Sequence, residues 1–253
     1  MFPGEETDFV ANVFQWAIEA FCGRFHDYQP IDARYHDLEH TLQGTLCLAR
    51  LLHGRLQTGA TPPLTKRVCE LALLAILLHD TGYLKKSDDS EGTGAKYTSI
   101  HVQRSIEFAR ELLSEHGFSS GDIESVQNMI RCTGVNVNLG AIPFRSVEER
   151  LAGLALGTAD LLGQMAASDY VDKLPILFKE FEEAGRHGKL SFEFKSAQEL
   201  INSTPGFWAG YVVPKINRDF ESLYRYLELE SGRNPYLDRI QTNLDRLARS
   251  KAA

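Results

Sequence analysis

Apolar residues recur at three- and four-residue intervals through most of the chain, the spacing of helices with one buried face. Residues 6 to 25 carry Phe9, Val13, Trp16, Ala17 and Phe21 at that spacing. A second helix is predicted over 37 to 53. A third, over 65 to 80, is apolar on nearly every side, as a central buried helix is. The polar, Gly-containing stretch DTGYLKKSDDSEGTG (80 to 94) reads as a loop. An amphipathic helix over 97 to 115 stops at His116-Gly117, where glycine suits the residue after the cap. Ser120 or Gly121 is placed to cap the next helix, which runs to about Arg131. GVNVNLGAIPF is irregular. Residues 146 to 168 are helical, and Gly153, Gly157 and Gly163 among alanines imply close helix packing. From 169 to 250 further helices are expected, broken at Pro175, at STPG (203 to 206) and at Asn234-Pro235. Only KLSFEF, 189 to 194, has the alternation of a strand. There is no internal repeat and no linker. The expected fold is all-α.

Composition narrows the classes. The chain has 253 residues and is 43% hydrophobic, enough for a sizeable core. Its net charge is −7 and no Lys/Arg cluster stands out, which argues against a nucleic acid polymer as partner. The longest apolar run, Leu71 to Leu78, is too short to span a bilayer. The start, MFPGEETDF, is acidic where a signal peptide is basic. Cys22, Cys47, Cys69 and Cys132 show no CxxC spacing, and they read as reduced thiols of a cytoplasmic protein.

Two short stretches stand out against this background. YHDLEH puts His36 and His40 four residues apart, and the aliphatic run LALLAILL ends in His79-Asp80. Residues four apart on a helix share a face, with Cβ atoms roughly 6 Å apart, so two imidazoles there can share one metal or one substrate. His79 and Asp80 would point about 100° apart on a continuing helix. Thr81-Gly82 lets the helix stop, and a helix end can aim both side chains into one hole. A buried His-Asp pair without partners is costly, and a divalent metal supplies the partner. Asp160, in GTADLLGQM, is the one acid between Arg150 and Asp169, and it lies in a small-residue apolar helix.

YHDLEH, then LLHDTGY, then Asp160, on a helical background, resembles the HD-domain metal-dependent phosphohydrolases. The first segment also resembles the YHNxxH signature of class I cyclic-nucleotide phosphodiesterases, with Asp37 in place of Asn. The likeness covers about residues 30 to 170. It implies an HD-type helical core over 1 to 170, with 171 to 253 a helical extension packed on the same domain. It also implies that His40, His79, Asp80 and Asp160 hold a primary metal, and that His36 is the proton donor. Spacing alone leaves open whether His36 or His40 is the ligand. Two imidazoles and two carboxylates suit Mn²⁺, Fe²⁺, Co²⁺, Ni²⁺ or Zn²⁺. Asp80 and Asp160 are placed to bridge to a second, weaker ion such as Mg²⁺.

HVQRS, 101 to 105, is similar to the HExxS segment of many HD proteins, with Val102 replacing Glu. On that likeness His101 faces the site, for a second metal or the phosphate; the other reading is an exposed histidine. Cys132 stands where some HD proteins have a further histidine, so the chain matches the di-iron HD oxygenases and the GYP-type cyclic-dinucleotide phosphodiesterases poorly. Lys85, Lys86 and Lys96 flank the 80–94 loop, which Gly92 and Gly94 would allow to move as a lid. Lys85 and Gln164 are candidate substrate contacts. Phe207, Trp208 and Tyr211 read as core packing or an aromatic slot. The expected activity is hydrolysis of a small phosphate ester or phosphodiester, such as a nucleotide or cyclic nucleotide. The alternatives are an HD-fold oxygenase and a non-catalytic nucleotide sensor.

Overall fold

The computed structural model describes residues 8–187 and 194–250; MFPGEET and all of KLSFEF but Phe194 lie outside them. Nine α-helices are present among the described residues: α1 Phe9–Phe21, α2 Leu38–Gln57, α3 Lys66–Leu78, α4 His101–Glu115, α5 Ser120–Arg131, α6 Val147–Met165, α7 Tyr170–His187, α8 Ala197–Phe207 and α9 Pro235–Ser250. No strand occurs among them, only an isolated antiparallel bridge between Tyr28 and Lys86. No helix of the described residues is long and apolar enough to cross a membrane.

Helix α3 is the axis of the core, with Leu71, Ala72 and every residue from Leu74 to Leu78 buried. Around it pack α1, α2, α4, α5 and α6. The broadest helix–helix contact is between α2 and α6. Its closeness comes from glycine. A Cβ on Gly163 would stand 2.9 Å from the Gly44 Cα and 3.0 Å from the Gln43 carbonyl oxygen, both rigid backbone. The two helices therefore meet backbone to backbone beside Asp160.

Serine and threonine cap the helices as their local chemistry demands. Thr65 accepts the Val68 N–H, Ser146 the Glu149 N–H and Ser119 the Asp122 N–H. The α5 cap is thus Ser119, not Ser120 or Gly121. Beyond α6 the expected breaks divide. Asn234 takes the Tyr236 and Leu237 N–H groups and starts α9 with Pro235 in its first turn. Pro175 breaks nothing and lies inside α7. STPG does not break the chain either. Helix α8 passes through Pro205 and continues as π-helical turns at Trp208–Val212 and Lys215–Asp219. The Ser203 and Thr204 hydroxyls both donate to the Leu200 carbonyl, and the wider turns accommodate the lost proline donors.

Candidate metal centre

Asp37 sets the geometry of the first motif. It is the N-cap of α2, and its carboxylate accepts the His40 N–H at 2.8 Å. His40 therefore sits in the first turn of α2, while His36 precedes the cap and lies off the helix. The two rings still come together, with centroids 5.4 Å apart. The shared helical face expected from the spacing is replaced by a cap that folds His36 back over His40.

The second motif sits where α3 stops. His79 is the C-cap of α3, Asp80 follows with φ −107° and ψ 7°, and Thr81–Tyr83 form a 3₁₀ turn. Gly82 is required there, because a Cβ would lie 2.0 Å from the His101 carbonyl oxygen. Ser105 locks the turn from α4: its hydroxyl accepts the Gly82 N–H at 2.8 Å and donates to the His79 carbonyl. The serine of HVQRS is thus the clasp that holds the His-Asp corner.

Three helices and this corner converge. His79 Nε2 is 3.2 Å from Asp80 Oδ2 and 3.4 Å from Asp160 Oδ1. His40 Nε2 is 3.3 Å from Asp80 Oδ2 and 3.7 Å from Asp160 Oδ1. His101 Nε2 stands 3.9 Å from Asp80 Oδ1. The three shorter spacings suit a coordination shell: ligands about 2.1 Å from one ion lie about 3.0–3.4 Å apart at right or tetrahedral angles. The ligand atoms of His40, His79 and Asp80 all fall within 4.8 Å of one another.

Two observations test whether the residues fit a metal. His79 and Asp80 are each 2% exposed, and the His79 Nε2 and Asp80 Oδ2 atoms have no hydrogen-bond partner. Buried polar atoms left so are expensive. The second observation is the tautomer. His79 Nδ1 lies 2.7 Å from the Ile76 carbonyl and His101 Nδ1 2.7 Å from the Thr98 carbonyl. A carbonyl only accepts, so both Nδ1 atoms carry a proton and both Nε2 atoms face the cluster, as metal-ligating histidines are held. The donor set fits a divalent ion.

The electrostatics agree. Burial pushes the Asp160 carboxyl up, but the His79 and His40 imidazoles outweigh it and hold it well below the carboxylate range. Asp80 is held low in the same way, chiefly by His79. Burial lowers His79, yet Asp80 and Asp160 push it up to about 9. His101 is lowered, because burial outweighs its attraction to Asp80.

Glu180 was not legible among the candidates. It is buried on α7; its Oε2 is 2.6 Å from His36 Nδ1 and its Oε1 accepts the Tyr35 N–H at 2.7 Å. Burial would lower the His36 pKa, and Glu180 reverses this and raises it. The His36 ring stacks on Tyr83 at 4.4 Å, and Tyr83 stacks on His101 at 4.8 Å. The sign available in the sequence was an acid on the same stripe of α7 as Ala184.

The remaining candidates separate. Gln164 takes the Tyr35 hydroxyl at 2.9 Å and donates to the Asp160 carbonyl, so it belongs to the wall of the site. Lys85 does not join the cluster. It is buried with Nζ 2.9 Å from Asp32 and 2.6 Å from the Gly92 carbonyl, which makes it a brace of its own loop. Lys86 pairs with Asp27, and Lys96 with Asp89. The loop is fastened further by Glu183, which holds the Thr93 amide and hydroxyl, and by Asp32, which takes the Gly94 N–H. It is a strap rather than a free lid. Cys132 is buried against Gly153, with its thiol pushed up to about 12 by burial. All four cysteines are free thiols. Phe207 stacks on Tyr211 and is exposed, while Trp208 packs on the core.

Within this helical bundle, residues 37–136 match the HD domain family model. HD domains bind divalent metals and in general carry metal-dependent phosphohydrolase chemistry. A longer match, over residues 87–247, is to the family described as Npun_R2479-like; it spans more than half of the chain, which belongs to that family. No curated protein and no solved structure matches. The HD match contains His40, His79, Asp80 and His101, and the longer one contains His101, Asp160 and Glu180.

Proposed function

We propose that the chain is a hydrolase that uses a bound divalent transition metal to cleave a small phosphate ester or phosphodiester. Nucleotides and cyclic nucleotides are the substrates to which the YHxxxH likeness points. The observation that carries the reading is the orphaned pair, His79 Nε2 and Asp80 Oδ2, inside a set of five convergent side chains.

His40, His79, Asp80 and Asp160 would hold the primary ion, with His101 turned toward the Asp80 side for a second ion or the phosphate. A metal in that position supplies hydroxide near neutral pH and draws charge from the phosphoryl group. The protein's own groups do the rest. Glu180 takes the Nδ1 proton of His36 as a hydrogen bond, so the second proton sits on Nε2. Glu180 raises the His36 pKa and so favours that proton on the ring. The Tyr83 stack fixes the plane of the ring. His36 is therefore equipped to hand a proton to a leaving alkoxide as a general acid. Small substrates fit a surface with net charge −7 better than a nucleic acid polymer does.

The test begins with elemental analysis of protein purified without added metal. A phosphatase and phosphodiesterase panel in Mn²⁺ follows, with an oligonucleotide as the polymer control. Turnover of small esters with little on the oligonucleotide is expected. Tight nucleotide binding without turnover would point to a sensor, and a mixed-valence iron signal in aerobic protein to an oxygenase.

A further inference from the structure

Four imidazoles stand at the metal centre, and the protein holds three of them by Nδ1. That of His79 lies on the Ile76 carbonyl, that of His101 on the Thr98 carbonyl and that of His36 on Glu180. His40 differs. Its backbone N–H goes to Asp37, but no hydrogen bond reaches its Nδ1 among the described residues. Its Nε2 is turned to Asp80 and Asp160, so as a neutral ligand the ring carries its proton on Nδ1. A metal-bound histidine gives that proton to a carbonyl, a carboxylate or a water.

His40 also lines a narrow cleft. Tyr35 and Gln164 form one side of it, Gln43 of α2 another, and Tyr170 and Lys173 of α7 the rest. The open space is about 10 Å³, room for one water and for no organic group. Polar groups around it are in surplus. Tyr170 is 5% exposed, yet its hydroxyl has no hydrogen-bond partner among the described residues, and burial alone pushes its phenol up. The half-buried Gln43 amide has none there either. Tyr35 gives its proton to Gln164, so its oxygen can only accept from the cleft. One water meets these needs together, since it accepts twice and donates twice.

Charge excludes an ion from the same space. Lys173 Nζ lies 3.2 Å from Glu39, 3.3 Å from Asp169 and 3.7 Å from Asp37. The ammonium disfavours a cation, and the three carboxylates disfavour an anion. A neutral occupant suits both.

We propose that this cleft binds one water, which takes the His40 Nδ1 proton as a hydrogen bond and so fixes the ring that His40 presents to the metal. This rests on the metal reading above. Tyr170 and Gln43 are positioning residues: they hold the water, and the water orients His40.

The experiment uses zinc-loaded protein carrying ¹⁵N-histidine, with wild type beside Tyr170→Phe and Gln43→Leu. Melting curves of the metal-free forms first confirm folding. In the wild type the Nδ1 protons of His40, His79 and His101 should all be seen by NMR. In each variant the His40 proton alone should exchange faster with solvent, while the two held by carbonyls stay as they were. Zinc affinity, read by competition with a chelating dye, should fall about tenfold, the low end of what losing such a partner costs. A crystal structure of the wild type should show one water about 3 Å from His40 Nδ1. A dry cleft, a protein carbonyl on Nδ1, or variants that bind zinc like the wild type would overturn the inference. So would equal changes in all three protons, which mark the cleft as ordinary packing. If the wild type binds no divalent ion, the metal reading falls, and the crystal structure still decides whether the water is held.

Discussion

Glu180 Oε2 lies 2.6 Å from His36 Nδ1, and its other oxygen holds the Tyr35 N–H at 2.7 Å. One carboxylate thus fixes both the charge of a histidine and the backbone that carries it. Glu180→Gln removes the charge and keeps the shape. The His36 pKa should drop, so the alkaline limb of the pH–rate profile should move to lower pH. The loss on an ester with a poor leaving group should be greater at pH 8 than at pH 6. A profile that keeps its alkaline limb would show that Glu180 only orders the chain at Tyr35.

His36 and His40 should fail differently. His40→Ala and Asp160→Ala should lose bound metal and activity together, with a lower melting temperature because ligand linkage is lost. His36→Ala should keep its metal and lose about 10²–10⁴-fold in turnover of a poor leaving group. That deficit should shrink on p-nitrophenyl phosphate, whose leaving group needs no proton. Metal analysis beside the two assays separates these outcomes, and metal loss in His36→Ala would count against its role as acid.

Metal uptake should release a proton. In the metal-free protein His79 keeps its proton up to about pH 9, against an ordinary 6.5. A ligand imidazole must be neutral, so binding at pH 7.5 displaces it. Apparent affinity should therefore rise with pH and level off above about 9. The same raised pKa stabilises the metal-free fold fully below about 6.5, and that contribution fades as pH climbs through about 9. Calorimetry in buffers of different ionisation enthalpy reads the proton; melting curves of metal-free protein from pH 7 to 10 read the stability.

Gly163→Ala should disturb the α2–α6 crossing. The new methyl meets the Gly44 Cα at 2.9 Å, and neither backbone can yield alone. Overpacking of this kind costs about 1–3 kcal/mol. Metal affinity should fall as well, since His40 and Asp160 stand on the two helices. An unchanged melting temperature would show that the helices part freely.

The convergent residues were legible because each broke a local pattern: a His-Asp pair ending an aliphatic helix, and an acid alone among alanines and glycines. The close packing of α6 was legible from Gly153, Gly157 and Gly163 for the same reason. Glu180 was hidden among Glu182 and Glu183, since one carboxylate in an acidic run is singled out only by tertiary burial. Lys85 misled in the opposite sense: a lysine beside the motif looks like a phosphate contact until Asp32, more than fifty residues earlier, is seen to hold it. Pro175 and Pro205 showed that packing can carry a helix through a residue that local propensity forbids.

The backbone contact at Gly44 and Gly163 would also act as a gauge for the size of a bound ion. The helices that carry His40 and Asp160 approach main chain to main chain there. A Ca²⁺ ion, which seeks six to eight oxygens at about 2.3–2.6 Å, would have to force the helices apart and would find imidazole where it wants oxygen. The smaller transition ions, at about 2.0–2.2 Å, need no such movement. In a metal-loaded protein the crossing of these two helices would then discriminate against the larger ion from one turn away.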